Sequence, residues 1–569
     1  MSVESPWPRR IVICCDGTWQ SSVTTQDNVP SNVTKLCRHI ARIGIDDKGK
    51  KYHQLVYYDS GIGTGNLGSS ERKRQGGTGA GLSENVIEAY NFIVLNYEPG
   101  DEIFCFGFSR GAYTARAVAG LVTDIGVIKP KDMQVFPEIY RAYMTNDEGE
   151  VFRETKAWKA FVSGKLNKQG EIMAAKGGQW GITEQAKYYE IDPHDTLELS
   201  EKSRKVKVVG VWDTVGSLGI PDVAWFNFSS WRSRYGFHNV KLTENIEHAF
   251  HALALDERRG PFRPTLWYIP YELKEQLAKD KKQIPELKQV WFPGVHINSG
   301  GGNDDTIGEM KGDLEHLSTA TFCWMLQCIA PYLTIDQEAF NQTMAGQKRF
   351  YEKIRHACTY HHETWGDWVK NKIPKIRVIN PGPDVLDPPK RDPPHEHIFD
   401  YGWGTGPVVN SRTGIYLAAK SYERVPGHCE LEVYDDGESK LVDINSKGFT
   451  NEYIHPICHY RDIIRGFEKT AALRKFKREF SNELNRYFWR HTEDKDHPHH
   501  KPLPEWIILN DKPGKINYER AWYHQCEQTD EMKKKLKDHN DPSYEKDWLE
   551  SLDEKVDFSV GDKEAHEYP

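Results

Sequence analysis

The feature that most constrains this chain is the pentapeptide Gly107-Phe108-Ser109-Arg110-Gly111. The run before it, EIFCFGF at 102–108, is typical of a central parallel strand covered on both faces, and small residues at 110–122 favour a helix after it. A G-x-S-x-G pentapeptide between a strand and a helix predicts a tight turn that lifts the serine hydroxyl above the sheet. We therefore predict that Ser109 is a nucleophile. The N–H of Arg110, at the positive end of the helix, would face a developing oxyanion.

Other apolar runs predict the rest of a sheet. Strand-like runs lie at 10–15, 53–58, 206–212 and 289–292, and residues 82–97 carry apolar side chains at helical spacing until Pro99-Gly100. Strands that alternate with helices favour a parallel sheet with right-handed crossovers. We expect an α/β fold of the α/β-hydrolase type, with a doubly wound, mostly parallel sheet.

A serine nucleophile needs an acid and a histidine, which follow it in that order in α/β-hydrolases. Asp213 comes directly after the strand-like run 206–212. Because the carboxyl ends of parallel strands meet at one edge of a sheet, Asp213 would face the same crevice as Ser109. It could equally cap a helix. Asp256 is the main alternative acid.

The predicted base is His296. It follows the run 289–292 and a Pro-Gly turn, and it leads into Gly300-Gly301-Gly302, so it could swing over the serine. The chain has 23 histidines, and a histidine is more often a satisfied structural residue than a base. Position alone therefore leaves its role open.

A second oxyanion donor should come from a loop after an early strand. Asp16-Gly17-Thr18 follows the first strand-like run and is the natural candidate. The N–H of Gly17 or Thr18 would act beside that of Arg110, and Asp16 would hold the loop through bonds to backbone N–H groups.

Six segments of the chain are distinctive as a set: CCDGTW (14–19), YYDSGIGTG (57–65), EPGDEIFCFGFSRGAYTAR (98–116), GVWDTVGSLG (210–219), ALALDERRGPF (252–262) and WFPGVH (291–296). Together they resemble one family, the α/β-hydrolase family that includes the type VI secretion phospholipase effectors and many fungal proteins. The resemblance covers about residues 8–330, and it implies a Ser–Asp–His triad at Ser109, Asp213 and His296 and an activity on lipid esters.

The chain departs from the family pattern at one position. The family often reads His-Ser-Asp-Val-Gly-Gly-Gly, whereas this chain has Asn298 where the aspartate is expected. If that carboxylate binds a metal or supports the histidine, the resemblance implies an altered activity here.

Beyond residue 330 the pattern is less regular, and we predict three parts. Residues 8–330 would form the catalytic domain, with 131–204 as an insertion or cap over the sheet. Residues 331–490 would form a C-terminal region of mixed structure, and 491–569 a charged, partly disordered tail.

Composition and motif spacing limit the partners, the compartment and the cofactors that we expect for this protein. A net charge of −8 gives no electrostatic footprint for nucleic acid. The ten cysteines contain no CxxC pair, and we find neither a secretory leader nor an apolar run long enough to span a bilayer, so we expect a cytoplasmic protein. The glycine pattern at 63–68 fits a dinucleotide site poorly, and the histidine-rich stretch 491–500 lacks metal-ligand spacing. We therefore predict no cofactor and no metal.

The expected partner is a lipid or a small ester, with transient contact to a membrane surface. The aromatic-rich segment 221–237 could line an acyl pocket or touch a membrane, although aromatic side chains are more often core. Two other functions stay open: an esterase for small soluble substrates, and an inactive hydrolase-fold scaffold.

Overall fold

The structure is a computed structural model. It describes residues 7–17, 29–60, 82–144, 151–155, 158–159, 202–215, 241–302, 315–360, 402–408, 410–411, 421–435, 438–465, 471–492, 501–512, 514–526, 529–538 and 549. Thr18, the glycine pattern at 63–68 and the aromatic segment 221–237 lie outside the described residues, as does most of the histidine-rich stretch 491–500.

The described strands are β1 (Arg9–Cys15), β2 (Ile43–Ile45), β3 (Lys51–Asp59), β4 (Glu102–Phe108), β5 (Val206–Trp212), β6 (Ile246–Ala254), β7 (Ile269–Pro270), β8 (Glu286–Phe292), β9 (Glu430–Asp435), β10 (Glu438–Asp443), β11 (Gly448–Phe449), β12 (Glu452–Ile454), β13 (Phe476–Ser481), β14 (Arg486–His491) and β15 (Leu503–Pro504). Eight of them form one sheet in the order β12-β8-β6-β5-β4-β1-β3-β2. Every neighbouring pair in this sheet is parallel except β2 with β3. The predicted α/β fold with a mostly parallel sheet is confirmed.

The described helices are α1 (Asn32–His39), α2 (Leu82–Asn96), α3 (Arg110–Ile125), α4 (Phe136–Met144), α5 (Tyr271–Lys279), α6 (His296–Gly300), α7 (Glu315–Ile329), α8 (Gln337–Tyr360), α9 (Ile457–Arg465), α10 (Tyr518–Gln525) and α11 (Asp530–Asp538). Short 3₁₀ turns lie at Pro130–Val135, Phe152–Glu154, Gly260–Phe262, Ile444–Ser446 and Ala471–Leu473. Among the helices that the structure describes, none combines the length and the apolar composition needed to cross a bilayer.

The sheet separates two hydrophobic cores because successive side chains of a strand point to opposite faces. In β1, Ile11 and Ile13 join the core that includes α2 and α3, whereas Val12 and Cys14 join the core that includes α1, α7 and α10. Both faces of the central strands are therefore buried, which explains why β4 and β5 read as nearly continuous apolar runs.

Parts of all three predicted segments pack into these cores. In the predicted insertion, Phe136 and Ile139 pack with side chains of α2 and α3, while residues 145–150 and 160–201 lie outside the described residues. In the C-terminal region, β12 pairs with β8 and extends the main sheet. In the predicted tail, Trp506 and Trp522 are buried in the core on the α7 face. The three-part division stays a prediction.

Candidate active site

Ser109 lies on the turn between β4 and α3, with a backbone φ of 58° and ψ of −123°. A non-glycine residue in such a conformation stores about 1–3 kcal/mol of strain, and the surroundings must hold it. The two glycines of the pentapeptide make the turn possible. A Cβ on Gly107 would lie 2.3 Å from the Gly111 carbonyl oxygen, and a Cβ on Gly111 would lie 2.2 Å from the carbonyl oxygen of Cys15 at the end of β1.

The structure brings Ser109, His296 and Asp213 together at the carboxyl edge of the sheet. The Ser109 Oγ lies 2.8 Å from His296 Nε2, and His296 Nδ1 lies 2.6 Å from Asp213 Oδ2. All three residues are buried, with exposed fractions of 8%, 6% and 0% in that order. Because an ionised carboxylate only accepts hydrogen bonds, Nδ1 carries the imidazole proton, and the lone pair of Nε2 faces the serine hydroxyl.

Asp213 follows β5 and has a positive φ of 40°. Its Oδ1 accepts hydrogen bonds from the backbone N–H of Ala254 at 3.0 Å and from Arg424 Nη1 at 2.6 Å, and its Oδ2 accepts one from Arg424 Nη2 at 3.1 Å. Burial alone would raise the pKa of Asp213, but the charge of Arg424 and the hydrogen bond from His296 outweigh it. The pKa of Asp213 lies well below its usual range, so the carboxylate is ionised.

His296 is the first residue of α6 and lies between two aromatic rings. Its ring centroid is 4.8 Å from that of Phe108 and 5.0 Å from that of Phe262, which packs edge-on. Gly300 makes room for Phe108, because a Cβ there would lie 2.1 Å from the ring. Burial lowers the pKa of His296, and the hydrogen bond to Asp213 opposes that effect only in part.

A second ion pair lies against His296. The Glu257 Oε2 accepts a hydrogen bond from the His296 backbone N–H at 3.3 Å, and Arg259 binds both oxygens of Glu257 at 2.9 and 2.8 Å. The Ser411 hydroxyl donates to Glu257 Oε1 at 2.7 Å. Two carboxylates, each paired with a guanidinium group, thus accept hydrogen bonds from His296.

Asp16 lies at the start of the loop that the sequence predicts as the second oxyanion donor. The Asp16 Oδ1 accepts a hydrogen bond from the backbone N–H of Gly17 at 2.7 Å. Its Oδ2 accepts hydrogen bonds from Ser31, Tyr58 and Thr34 at 2.6, 2.8 and 2.9 Å. Because the Gly17 N–H already donates to Asp16, this amide is committed to holding the loop.

Asp256, the alternative acid, and Asn298, which replaces the aspartate of the family pattern, both accept hydrogen bonds from backbone N–H groups. Asp256 Oδ2 accepts from the Gly294 N–H at 2.7 Å, whereas Asp213 is the carboxylate on His296 Nδ1. Asn298 Oδ1 accepts from the Val295 N–H at 3.0 Å, and its Nδ2 donates to the Pro407 carbonyl at 3.4 Å. Asn298 therefore holds the first turn of α6, the helix that begins with His296.

Sequence reasoning missed two groups beside Asp213. Arg424 lies 211 residues from Asp213 along the chain, and no local pattern marks it. His251, on β6, accepts a hydrogen bond from the Thr214 N–H at 3.1 Å, and burial lowers its pKa to about 3. His251 is thus neutral and fixes the turn that carries Asp213. Within the described ranges, no group of three or more His, Cys, Asp or Glu side chains is arranged to hold a metal ion.

A mostly parallel sheet with a serine on a strand-to-helix turn, beside a histidine and a carboxylate, defines the α/β-hydrolase-like class. Residues 9–328 match the model of the Tle1-like type VI secretion phospholipase effector family, catalytic domain, and the chain belongs to this family.

Three other proteins are similar to parts of the chain. An uncharacterized protein of Saccharomyces cerevisiae is 25% identical over 278 residues, which is 46% of this chain and 34% of that protein. A structure of the Tle1 effector bound to the VgrG spike from the type 6 secretion system is 18% identical, with a TM-score of 0.24, covering 53% of this chain and 52% of that chain. A crystal structure of an uncharacterized protein from Pseudomonas aeruginosa is 14% identical, with a TM-score of 0.28, covering 57% of this chain and 46% of that one. The chain thus spans about a third of the yeast relative and about half of each solved structure.

Proposed function

We propose that this protein is a serine hydrolase that cleaves carboxylic esters of lipids, with Ser109 as nucleophile, His296 as general base and Asp213 as the acid of the triad. The observation that carries the proposal is the 2.8 Å contact between Ser109 Oγ and His296 Nε2, on a ring whose Nδ1 faces an ionised Asp213. This arrangement allows the imidazole to take the hydroxyl proton as the oxygen attacks.

The reaction proceeds in two halves. Ser109 Oγ bonds to the ester carbonyl carbon while its proton moves to His296 Nε2, and the Arg110 N–H, at the first position of α3, stabilises the oxyanion. His296 then protonates the leaving alcohol, and the acyl-enzyme remains. A water molecule then attacks the acyl carbon while His296 takes its proton. His296 returns this proton to Ser109 Oγ as the acyl–oxygen bond breaks, which releases the fatty acid and restores the serine hydroxyl. The amide of Thr18 is the candidate for the second oxyanion donor, because that of Gly17 donates to Asp16.

The lipid substrate is supported by the family, whose description is that of phospholipase effectors. The region of about residues 8–330 would carry the chemistry. Contact with a membrane surface belongs to the same proposal, since a phospholipid ester is reached at an interface.

The test measures fatty-acid release from phosphatidylcholine vesicles and hydrolysis of p-nitrophenyl butyrate by the wild-type protein and by Ser109→Ala. Ser203→Ala is the matched control, because Ser203 is buried away from the site, where its hydroxyl accepts from the Val127 N–H at 2.6 Å. We expect release from vesicles by the wild type and by Ser203→Ala, and none by Ser109→Ala. Hydrolysis of the soluble ester alone would contradict the lipid assignment, and no hydrolysis of either by folded protein would favour a scaffold.

A further inference from the structure

Arg424 reaches the site from a segment beyond the part of the chain that matches the family model, which ends at residue 328. This segment, residues 421–429, runs along the loop that follows β6. Ser421 and Arg259 form an antiparallel bridge, and the Tyr422 N–H donates to the Arg258 carbonyl at 3.0 Å. The Arg424 side chain points from this segment into the protein interior, and its exposed fraction is 0%.

The guanidinium group of Arg424 is fixed from two sides. On one side Nη1 and Nη2 bind Asp213 Oδ1 and Oδ2 at 2.6 and 3.1 Å. On the other side Nη1 donates to the Ala254 carbonyl at 2.6 Å and Nη2 to the Phe262 carbonyl at 2.7 Å. Because the guanidinium is planar, these four hydrogen bonds define the plane in which the carboxylate lies.

This contact decides where Asp213 Oδ2 points. A buried carboxylate without a balancing cation is strongly unfavourable, and a neutral imidazole alone supplies no charge. Arg424 supplies the charge and holds both oxygens, so that Oδ2 stays 2.6 Å from His296 Nδ1. The charge of Arg424 also repels the positive charge that the His296 imidazole acquires when it accepts the proton of Ser109.

We infer that Arg424 is a positioning residue of the proposed active site, one that orients Asp213 toward His296 and so links the segment 421–429 to that site. The inference rests on the proposed function.

The test compares Arg424→Met, Arg424→Lys and Arg461→Met in the full chain. Arg461 is the matched control, because it is also buried in the C-terminal region and donates to two backbone carbonyls, those of Gly404 and Gly406, at 2.7 and 2.6 Å. The readout is the rate of labelling by a fluorophosphonate probe between pH 5 and pH 9, at a temperature where circular dichroism shows each variant folded.

We expect Arg424→Met to slow labelling at pH 7 by about 10- to 100-fold, the range found when an outer partner that orients a metal ligand is removed. The midpoint of its acidic limb should move to higher pH. The charged groups next to His296 are Asp213, Glu257 and Arg259. Arg424 acts through Asp213, and removing its charge leaves this carboxylate to be balanced by a protonated imidazole. Arg424→Lys keeps the positive charge but not the planar, two-pronged set of donors of a guanidinium group, and it should recover part of the labelling rate. Arg461→Met should label like the wild type.

Labelling of folded Arg424→Met at the wild-type rate, with an unchanged midpoint, would overturn the inference. So would an equal loss in Arg461→Met. If Arg424→Met does not fold, Arg424→Lys decides the matter, since a wild-type rate in that variant contradicts an orienting role. Ser109→Ala separates the two proposals. If Ser109→Ala labels like the wild type, the proposed function is wrong. If Ser109→Ala is not labelled while Arg424→Met labels at the wild-type rate, only the role of Arg424 is wrong.

Discussion

Among the residues that the structure describes, two histidine–carboxylate pairs have both side chains less than a tenth exposed, one at the proposed active site and one in the C-terminal region. In the first, His296 Nδ1 lies 2.6 Å from Asp213 Oδ2. In the second, His455 Nε2 lies 3.0 Å from Glu519 Oε1. Side-chain exposure is 7% and 0% for the first pair and 2% and 3% for the second. By burial and distance the pairs are alike.

They differ at the other ring nitrogen. His455 Nδ1 accepts a hydrogen bond from the Ile457 backbone N–H at 3.2 Å, so the proton of this ring lies on Nε2 and points to Glu519. In His296 the tautomer is reversed, and the lone pair of Nε2 faces Ser109 Oγ at 2.8 Å.

A buried histidine–carboxylate pair is therefore not evidence for catalysis in itself. Both nitrogens of His455 are occupied by groups that hold the fold, and Glu519 is bound further by Trp506 Nε1 at 3.2 Å. What makes His296 a candidate base is the serine held at a strained turn opposite its lone pair.

The largest expected effect contrasts His296→Gln with His455→Gln. Glutamine keeps a hydrogen-bond donor and much of the volume but cannot act as a base at neutral pH. We expect His296→Gln to lower kcat by on the order of 10⁶-fold, as loss of a triad histidine does in other serine hydrolases. His455→Gln should leave kcat unchanged and lower the free energy of unfolding by about 1–3 kcal/mol. Steady-state hydrolysis measures kcat, and urea unfolding measures the free energy of unfolding. Equal losses of kcat in both folded variants would contradict the difference in role between His296 and His455.

A second contrast compares Asp213→Asn with Glu519→Gln. An amide at position 213 would place an N–H₂ group opposite the N–H donors of Arg424 or of His296. The imidazole then loses the tautomer in which Nε2 is unprotonated and can accept the serine proton. We expect kcat to fall by about 10⁴-fold in Asp213→Asn. Glu519→Gln should affect only the thermal midpoint. Wild-type turnover by folded Asp213→Asn would show that this carboxylate does not support the base.

The pH profile sharpens the assignment of the base. His296 must be neutral to accept the serine proton, and burial lowers its pKa from the ordinary value of 6.5. We therefore expect the acidic limb of kcat/KM to have its midpoint below pH 6.5, with a decline of about tenfold per unit below that midpoint. A midpoint above pH 6.5 would contradict His296 as the group whose protonation limits kcat/KM.

The smallest expected effect is that of Asn298→Asp, which restores the aspartate of the family pattern. The carboxylate keeps the hydrogen bond from the Val295 N–H but places an oxygen near the Pro407 carbonyl. We expect an unchanged kcat and a loss of about 1 kcal/mol in the free energy of unfolding. A tenfold gain in kcat that EDTA removes would instead show that a metal acts at this position in the family.

The sequence predicted the parts of the molecule whose signals are local. The strands at 102–108 and 206–212 were predicted with the bounds that the structure has, because both are buried on two faces and end at turn residues. Strand β6 was not predicted, since its histidines interrupt the apolar pattern (IEHAFHALA). Strand β12 is only three residues long and has no period to read.

The approach of Asp213 and His296 to Ser109 was predicted from their places at strand ends, together with the family resemblance. Arg424 could not be predicted in the same way. Its segment has no regular structure that would set its direction, and its partner is fixed only by how residues 421–429 lie against the loop after β6.

Activation of Ser109 by His296 can be examined by peptide mapping after fluorophosphonate labelling. We expect one phosphonate adduct, on the proteolytic peptide that contains Ser109, and its loss in His296→Gln. Folded wild-type protein that carries no adduct, or an adduct on another residue that persists in His296→Gln, would contradict it.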